Sequence, residues 1–245
     1  MAAVRILFED DNLIVVDKPV GVVVDDGRER NSENPDLILL LSEMGRKTFA
    51  FHRLDRDTSG IVLLGKSKRF AKEITTLFEE KRIRKAYLAV VNGVWTPSLN
   101  RVALPIGDRE SLTTFRRLAV SDVPSSEGPA GRSWLEALPK TGRKHQIRIH
   151  CASSGHAILG DGVYGGGQVR STSSSSATSS SASDSETPAR GHALHAYSLS
   201  FRHPENGETV SIRSSPDAWR ENWLKGMNYE PAWDRLFVGA SDDAS

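Results

Sequence analysis

An α+β fold is what the sequence predicts: a mixed, largely antiparallel central sheet flanked by helices and loops. Two observations carry that expectation. Short β-prone runs follow one another across connections too short for a crossover helix. Val4 to Phe8 and Leu13 to Val16 are separated only by Glu9-Asp10-Asp11-Asn12, and the alternating run Ala193 to Phe201 meets Val210 to Ile212 across Pro204 to Gly207. Against these strands few stretches show helical spacing, the clearest being Phe70, Ile74, Leu77 and Phe78.

The elements follow in order. Lys18-Pro19-Val20-Gly21 punctuates the chain, and Val22 to Val24 reads as a third strand. The polar run Asp25 to Pro35 is expected to be a surface loop, and Asp36 to cap a helix carrying Leu37, Leu40 and Leu41. Ile61 to Leu64 is a continuous apolar run and hence a buried strand. The Phe70 stripe predicts an amphipathic helix over about residues 67–81, with Lys68, Arg69 and Lys72 on its other face. Tyr87 to Val91 is a strand ended by Asn92-Gly93, with the tyrosine half-buried at its start. Leu104 to Gly107 is a turn, Thr113 to Leu118 a strand, Ser121 to Arg132 a Pro/Gly/Ser loop, and Ser133 to Leu138 a strand.

From Thr141 to Ser153 the spacing fits both strand and helix. Gly142 before it and Ser154-Gly155 after it favour a loop entering a helix at about Lys144. Ser171 to Glu186 is almost entirely Ser, Thr and Ala and cannot bury enough apolar surface to offset its ordering entropy, so a disordered insertion is expected over about 168–189. Trp219, Trp223 and Leu224 suggest a terminal helix. The whole reads as one catalytic domain over 1–235 with a flexible tail at 236–245.

Composition narrows the function classes. The 245 residues carry a net charge of +1, so attraction to an anionic partner must come from local patches. Lys66 to Arg69, Lys81 to Lys85 and Lys140 to His145 are such patches. The single cysteine, Cys151, excludes an internal disulfide and fits a reducing compartment. No apolar run approaches the ~20 residues of a membrane span. The N-terminus reaches Glu9, Asp10 and Asp11 without an apolar signal region, so the cytoplasm is the expected compartment, with nucleus and organelle left open.

His52-Arg53-Leu54-Asp55-Arg56-Asp57-Thr58-Ser59-Gly60 packs two carboxylates, two guanidiniums, an imidazole and two hydroxyls directly before the buried Ile61 run. Carboxylates beside a core strand must be paired or lose their charge. An arginine is the natural partner for a carboxylate that must stay ionised in a dry pocket, because it cannot give up its proton. Arg148 is such a cation, and Tyr87 offers a flat ring to stack on a planar substrate. A metal site built from His52, Asp55, His145, His150 and Cys151 is the weaker alternative. No pair among them has compact zinc-ligand spacing, and Arg53, Arg56 and Arg148 would place positive charge where the cation must sit.

HRLDRDTSG at 52–60, Lys85-Ala86-Tyr87, TGRKHQIRIH at 141–150, GHAILGDGVY at 155–164 and Leu194-His195-Ala196 together resemble, in type and order, the RluA family of pseudouridine synthases. Asp17-Lys18-Pro19-Val20-Gly21 is similar to that family's N-terminal signature. The resemblance covers roughly residues 4–215 and implies the pseudouridine synthase catalytic fold with an RNA-binding cleft. It implies isomerisation of uridine in ribosomal or transfer RNA to pseudouridine, with no cofactor; a monomer without membrane attachment is expected beside it. Asp55 matches the catalytic aspartate, attacking either the anomeric carbon or the uracil ring. Tyr87 matches the tyrosine that stacks on the base and assists proton removal, and Arg148 the basic partner of the aspartate. Arg53 matches the arginine that takes the place of the flipped uridine. His52, Arg56, Lys85, Arg143, Lys144, His145 and Gln146 lie in the matching motifs and are expected to face RNA. Asp57 is expected to order the loop. The family often carries a small RNA-binding domain before the catalytic one. Here the first strand begins at Val4, so substrate choice is expected to rest on the basic surface of the catalytic domain.

Overall fold

The computed structural model describes residues 4–25, 35–121, 131–166 and 191–214. The loops expected at Asp25 to Pro35 and Ser121 to Arg132 fall largely outside those residues. The 168–189 insertion, the Trp219 to Leu224 helix and the 236–245 tail fall entirely outside them.

Strands β1 (Arg5–Glu9), β2 (Leu13–Lys18), β3 (Phe49–Ala50), β4 (Ser59–Gly65), β5 (Arg84–Asn92), β6 (Arg101–Val102), β7 (Thr113–Ser121), β8 (Arg132–Pro139), β9 (Leu194–Arg202) and β10 (Thr209–Arg213) form one sheet. Its order is β1-β2-β4-β9-β5-β8-β7-β6, with β3 beside β4 and β10 beside β9. Every named pairing is antiparallel except β4 with β9, where Ser59 meets His195 and Gly60 meets Ala196. The largely antiparallel α+β architecture expected from the sequence is the one observed. The helices are α1 (Leu37–Glu43), α2 (Ala71–Glu79) and α3 (Gln146–Ser153).

Why the runs Leu13–Val16 in β2 and Ile61–Leu64 in β4 are apolar at every residue follows from what covers them. Successive side chains of a strand point to opposite faces. Leu13, Val15, Ile61 and Leu63 pack with Ile74 and Leu77 of α2 on one face. Ile14, Val16, Val62 and Leu64 pack with Leu37 and Leu41 of α1 on the other. A third cluster joins β5 and β8 to Ile147 and Cys151 of α3 through Trp95 and Trp134. That cluster fixes the helix carrying the candidate cation against the sheet.

Two expectations need correction. Val22 to Val24 is not a strand: Gly21 turns the chain at φ +84°, and the segment makes one isolated bridge, Val23 to Asp36. Its apolar side chains are buried without a ladder, and the Val22 carbonyl accepts from Lys18 Nζ at 2.7 Å instead. The helix expected over 67–81 starts as a 3-10 turn, Lys68–Phe70, whose backbone Ser67 caps, and becomes α-helical only from Ala71. β3 and β6, two residues each, are too short to leave a periodic signal. Asp36 does cap α1 as expected, accepting from the Ile38 and Leu39 amides.

Gly60 marks where β4 and β9 approach most closely below the candidate loop. A Cβ there would stand 2.2 Å from the Ala196 carbonyl oxygen, and φ is +109°. Gly60→Ala is therefore expected to lower unfolding free energy by about 3 kcal/mol, through backbone displacement and a disfavoured φ together. Urea unfolding of the purified variant measures this, and a change below about 0.5 kcal/mol would contradict it.

No helix among the described residues is long and apolar enough to cross a membrane.

Candidate active site

The segment His52 to Thr58 is held at both ends and from below. At one end His52 Nε2 accepts from the Leu63 amide at 3.0 Å. At the other, Thr58 Oγ1 bonds His192 Nε2 at 2.8 Å and Ser59 Oγ bonds His195 Nδ1 at 2.7 Å. From below, buried Lys18 Nζ donates to Arg56 O at 3.0 Å as well as to Pro19 O and Val22 O, and the Gly21 amide donates to Arg56 O at 2.9 Å. Leu54 turns into the core. Between these anchors Asp55 projects toward α3.

A second set of bonds sets α3. Gln146 Oε1 accepts from Thr141 Oγ1 and the Arg143 amide, and its Nε2 donates to Leu112 O and Thr113 Oγ1. His150 bonds Ser111 Oγ and Thr113 Oγ1, and burial pushes its pKa down, so it serves as a neutral link. With both flanks fixed, Arg148 is delivered to one place.

Arg148 Nη1 donates to Asp55 Oδ2 at 2.8 Å, while Nε and Nη2 donate to Asp161 Oδ2 and Oδ1 at 2.7 and 2.9 Å. Side-chain exposure runs from 27% at Asp55 through 6% at Arg148 to 0% at Asp161, so only the outermost carboxylate meets solvent. Burial alone would lower the guanidinium's pKa, but its bonds to Asp161 and then Asp55 outweigh that and raise it. Asp161 is likewise disfavoured by burial, yet Arg148 and the Tyr164 and Val163 amides hold its pKa below the usual carboxylate range. The Tyr164 ring lies 5.1 Å from the guanidinium carbon.

This ion pair lines a cleft of about 1810 Å³ that also takes in Tyr87. Burial first, and then the Asp55 charge, raise the Tyr87 pKa, so the ring stands in the cleft as a neutral phenol. Asp55, Tyr87 and Arg148, singled out from the sequence, are thus brought together. Arg53 and Lys144 are exposed on the cleft wall. Arg56 is exposed and paired with its neighbour Asp57 at 3.1 Å. Lys85 is half-buried, with its ammonium 5.9 Å from the Phe78 ring centre, and burial lowers its pKa. Arg143 donates to Glu110 O at 3.1 Å.

Two residues expected to face RNA line the cleft and are also bonded within the fold. His52 accepts the Leu63 amide and packs on Phe78, with burial pushing its pKa down to about 3. The buried Gln146 amide is spent on the four bonds already described. The alternative metal set does not converge: His52 and His150 are committed to separate partners, and among the described residues no group of three or more His, Cys, Asp or Glu could hold an ion.

Sequence reasoning gave no role to Asp161, Tyr164 or the wall arginines Arg109 and Arg116. A lone carboxylate in the glycine-rich Gly160-Asp161-Gly162 was the available signal. Arg116 is held by buried Glu136 at 2.7 Å, a pair set by cross-strand register and invisible in the linear chain. Conversely, Lys68 and Lys72 do not line the cleft.

Residues 12–153 match the family described as RNA pseudouridylate synthase. "Ribosomal large subunit pseudouridine synthase C" of Haemophilus influenzae is 33% identical over 221 residues, covering 87% of this chain and 65% of that protein. The chain thus spans slightly less than two thirds of that relative's length. "tRNA pseudouridine synthase C" of Vibrio cholerae is 29% identical, with 96% of this chain and 99% of that protein covered. Among solved structures, human RNA pseudouridylate synthase domain containing 1 superposes with a TM-score of 0.62 at 25% identity, over 88% of this chain and 84% of that one.

Proposed function

Because the chain belongs to the RluA-type family of RNA pseudouridylate synthases, we propose that it isomerises uridines in structured RNA, ribosomal or transfer, to pseudouridine with Asp55 as nucleophile. The observation that carries this reading is the Asp55–Arg148 pair lining a basic cleft, with buried Asp161 behind the guanidinium. The guanidinium bond holds the Asp55 carboxylate in place to attack. Attack of Asp55 on the anomeric carbon forms an ester and expels the uracil, which leaves with the electrons of the carbon–nitrogen bond; addition to the uracil ring instead forms an ester to the base before the glycosidic bond breaks. After the base turns, its C5 bonds to the anomeric carbon, the ester bond breaks and returns the Asp55 carboxylate, C5 loses its proton and N1 takes one up.

The neutral Tyr87 phenol suits stacking on the uracil. Its raised pKa makes it a poor resting base, so help in proton removal requires the bound intermediate to change its surroundings. Arg53, exposed beside Asp55, supports a part in occupying the space that the flipped nucleotide leaves. We assign residues 1–235 to one catalytic domain that acts as a cytoplasmic monomer, with substrate choice resting on the cleft's own basic walls.

Incubation with transcribed ribosomal and transfer RNAs, followed by carbodiimide-dependent primer-extension stops, tests the reading. Stops at defined uridines are expected; binding without conversion would make the protein an RNA-binding module instead. Affinity is expected to fall roughly 50-fold between about 0.05 and 0.2 M salt if about four phosphates of a single strand are neutralised. Lys140→Ala with Lys144→Ala should flatten that slope, and an unchanged slope removes this wall from the RNA footprint.

A further inference from the structure

His145 occupies a costly conformation. It is the N-cap of α3 with φ +57° and ψ +20°, in the left-handed region, and its side chain makes no capping bond. The only other non-glycine residue with positive φ among those described is Lys81, just beyond the end of α2. Glycine or asparagine would fill the position at less cost. Such strain persists only where the surrounding structure over-determines it.

What it maintains is an imidazole set between the candidate nucleophile and a tyrosine. His145 Nε2 stands 3.6 Å from Asp55 Oδ1, and Nδ1 is 3.0 Å from the Tyr164 hydroxyl. The two rings meet edge to face, with centres 5.7 Å apart at 82°. Arg148 holds the other Asp55 oxygen, Oδ2, at 2.8 Å. Each oxygen of the carboxylate therefore faces one nitrogen group, and the two together define its rotation.

The tautomer follows from the neighbours. If Nδ1 carried the proton, the Nε2 lone pair would face a carboxylate oxygen, which is repulsive. If the Tyr164 hydroxyl donates to Nδ1, the proton sits on Nε2 and points at Asp55. Burial, with Arg148 and Lys144, lowers the imidazole's pKa against the opposing pull of Asp55 and Asp161, which favours this neutral form. At 3.6 Å the Nε2–H is too far for a full hydrogen bond in the free protein, and such contacts tighten when substrate binds.

We propose that His145, in its neutral Nε2–H form set by Tyr164, is a positioning residue that orients the Asp55 carboxylate for attack. The inference rests on the reading of Asp55 as nucleophile. It differs from the expectation that His145 faces RNA, because the ring's two nitrogens face Asp55 and Tyr164.

His145→Asn tests it, since asparagine tolerates the left-handed backbone while removing the ring. The expected result is a fall in kcat of about 10- to 100-fold, the scale of a misplaced reacting group, with KM and RNA affinity within about two-fold and the melting temperature unchanged. Equal losses in kcat and RNA affinity would make His145 an RNA contact, and a loss that follows lowered melting temperature would make it structural; either overturns the proposal. Nitrogen-15 NMR of the wild-type protein gives a readout independent of activity. A neutral, Nε2-protonated ring is expected near pH 7, with tautomer mixing in Tyr164→Phe and a displaced Nε2 resonance in Asp55→Asn. An Nδ1-protonated ring, or an Nε2 resonance indifferent to Asp55→Asn, overturns it. Failure of the wild-type protein to convert any RNA would defeat the functional reading, while the NMR arm still decides whether the ring addresses Asp55.

Discussion

Asp55→Asn is expected to abolish pseudouridine formation while leaving the protein folded and able to bind RNA. The substitution keeps the size of the side chain and an oxygen that can accept from Arg148 Nη1, now 2.8 Å from Asp55 Oδ2. It removes the charge and the nucleophilic oxygen pair. Loss of the attacking group in a nucleophilic mechanism reduces turnover on the order of 10⁴-fold or more, enough to erase primer-extension stops. Asp161 still satisfies the other two donors of Arg148, so stability should change little. RNA affinity should hold or rise, since one negative charge leaves a cleft meant for phosphates. Conversion by the variant at a measurable fraction of wild type would remove Asp55 from the chemistry.

Asp161→Ala is expected to damage both stability and turnover. Asp161 has no exposed side-chain surface, and it anchors the guanidinium through two bonds while accepting the Val163 and Tyr164 amides. Removing it leaves a buried arginine with one partner, a type of change that costs about 3–5 kcal/mol. Arg148 would then be free to swing with Asp55, and turnover should fall on the order of 100-fold, beyond any loss of folded protein. Denaturant titration separates the two effects. Wild-type turnover in a folded Asp161→Ala variant would show that the inner carboxylate does not orient the outer pair.

The same residue predicts a pH response. Its folded-state pKa is lowered by Arg148 and the two amides, so its contribution to stability is present above the unfolded carboxylate value and is lost as pH falls through the folded one. Wild-type protein should therefore lose stability with acid below about pH 4, and Asp161→Ala should lose less over that range. Urea midpoints measured from pH 7 downward check the sign.

Much of this molecule is written locally. Leu13 to Val16 and Ile61 to Leu64 are uninterrupted apolar runs, and such runs leave few choices besides strands covered on both faces. Asp36 before Leu37 announced a capped helix, and a capped helix is there. Val22 to Val24 misled because β-branched residues report burial as readily as pairing, and here a lysine ammonium replaces a ladder bond. Residue type and order, through the family resemblance, also picked out Asp55, Tyr87 and Arg148.

What remained hidden was the direction of side chains and the identity of their partners. His52 and Gln146 lie in the same motifs as Asp55 and Arg148, and their bonds to backbone and hydroxyl groups of distant segments are not legible in the linear chain. Asp161 becomes the inner half of the site only because α3 lays Arg148 between it and a carboxylate 93 residues earlier in the chain. The sequence by itself determined the principal strands, the class of fold and the chemical types available for the reaction. Tertiary structure alone decided which of those groups meet. Hydrophobic periodicity constrains one segment at a time, whereas a buried charge is tolerable only where distant segments deliver its counter-charge and hydrogen bonds together.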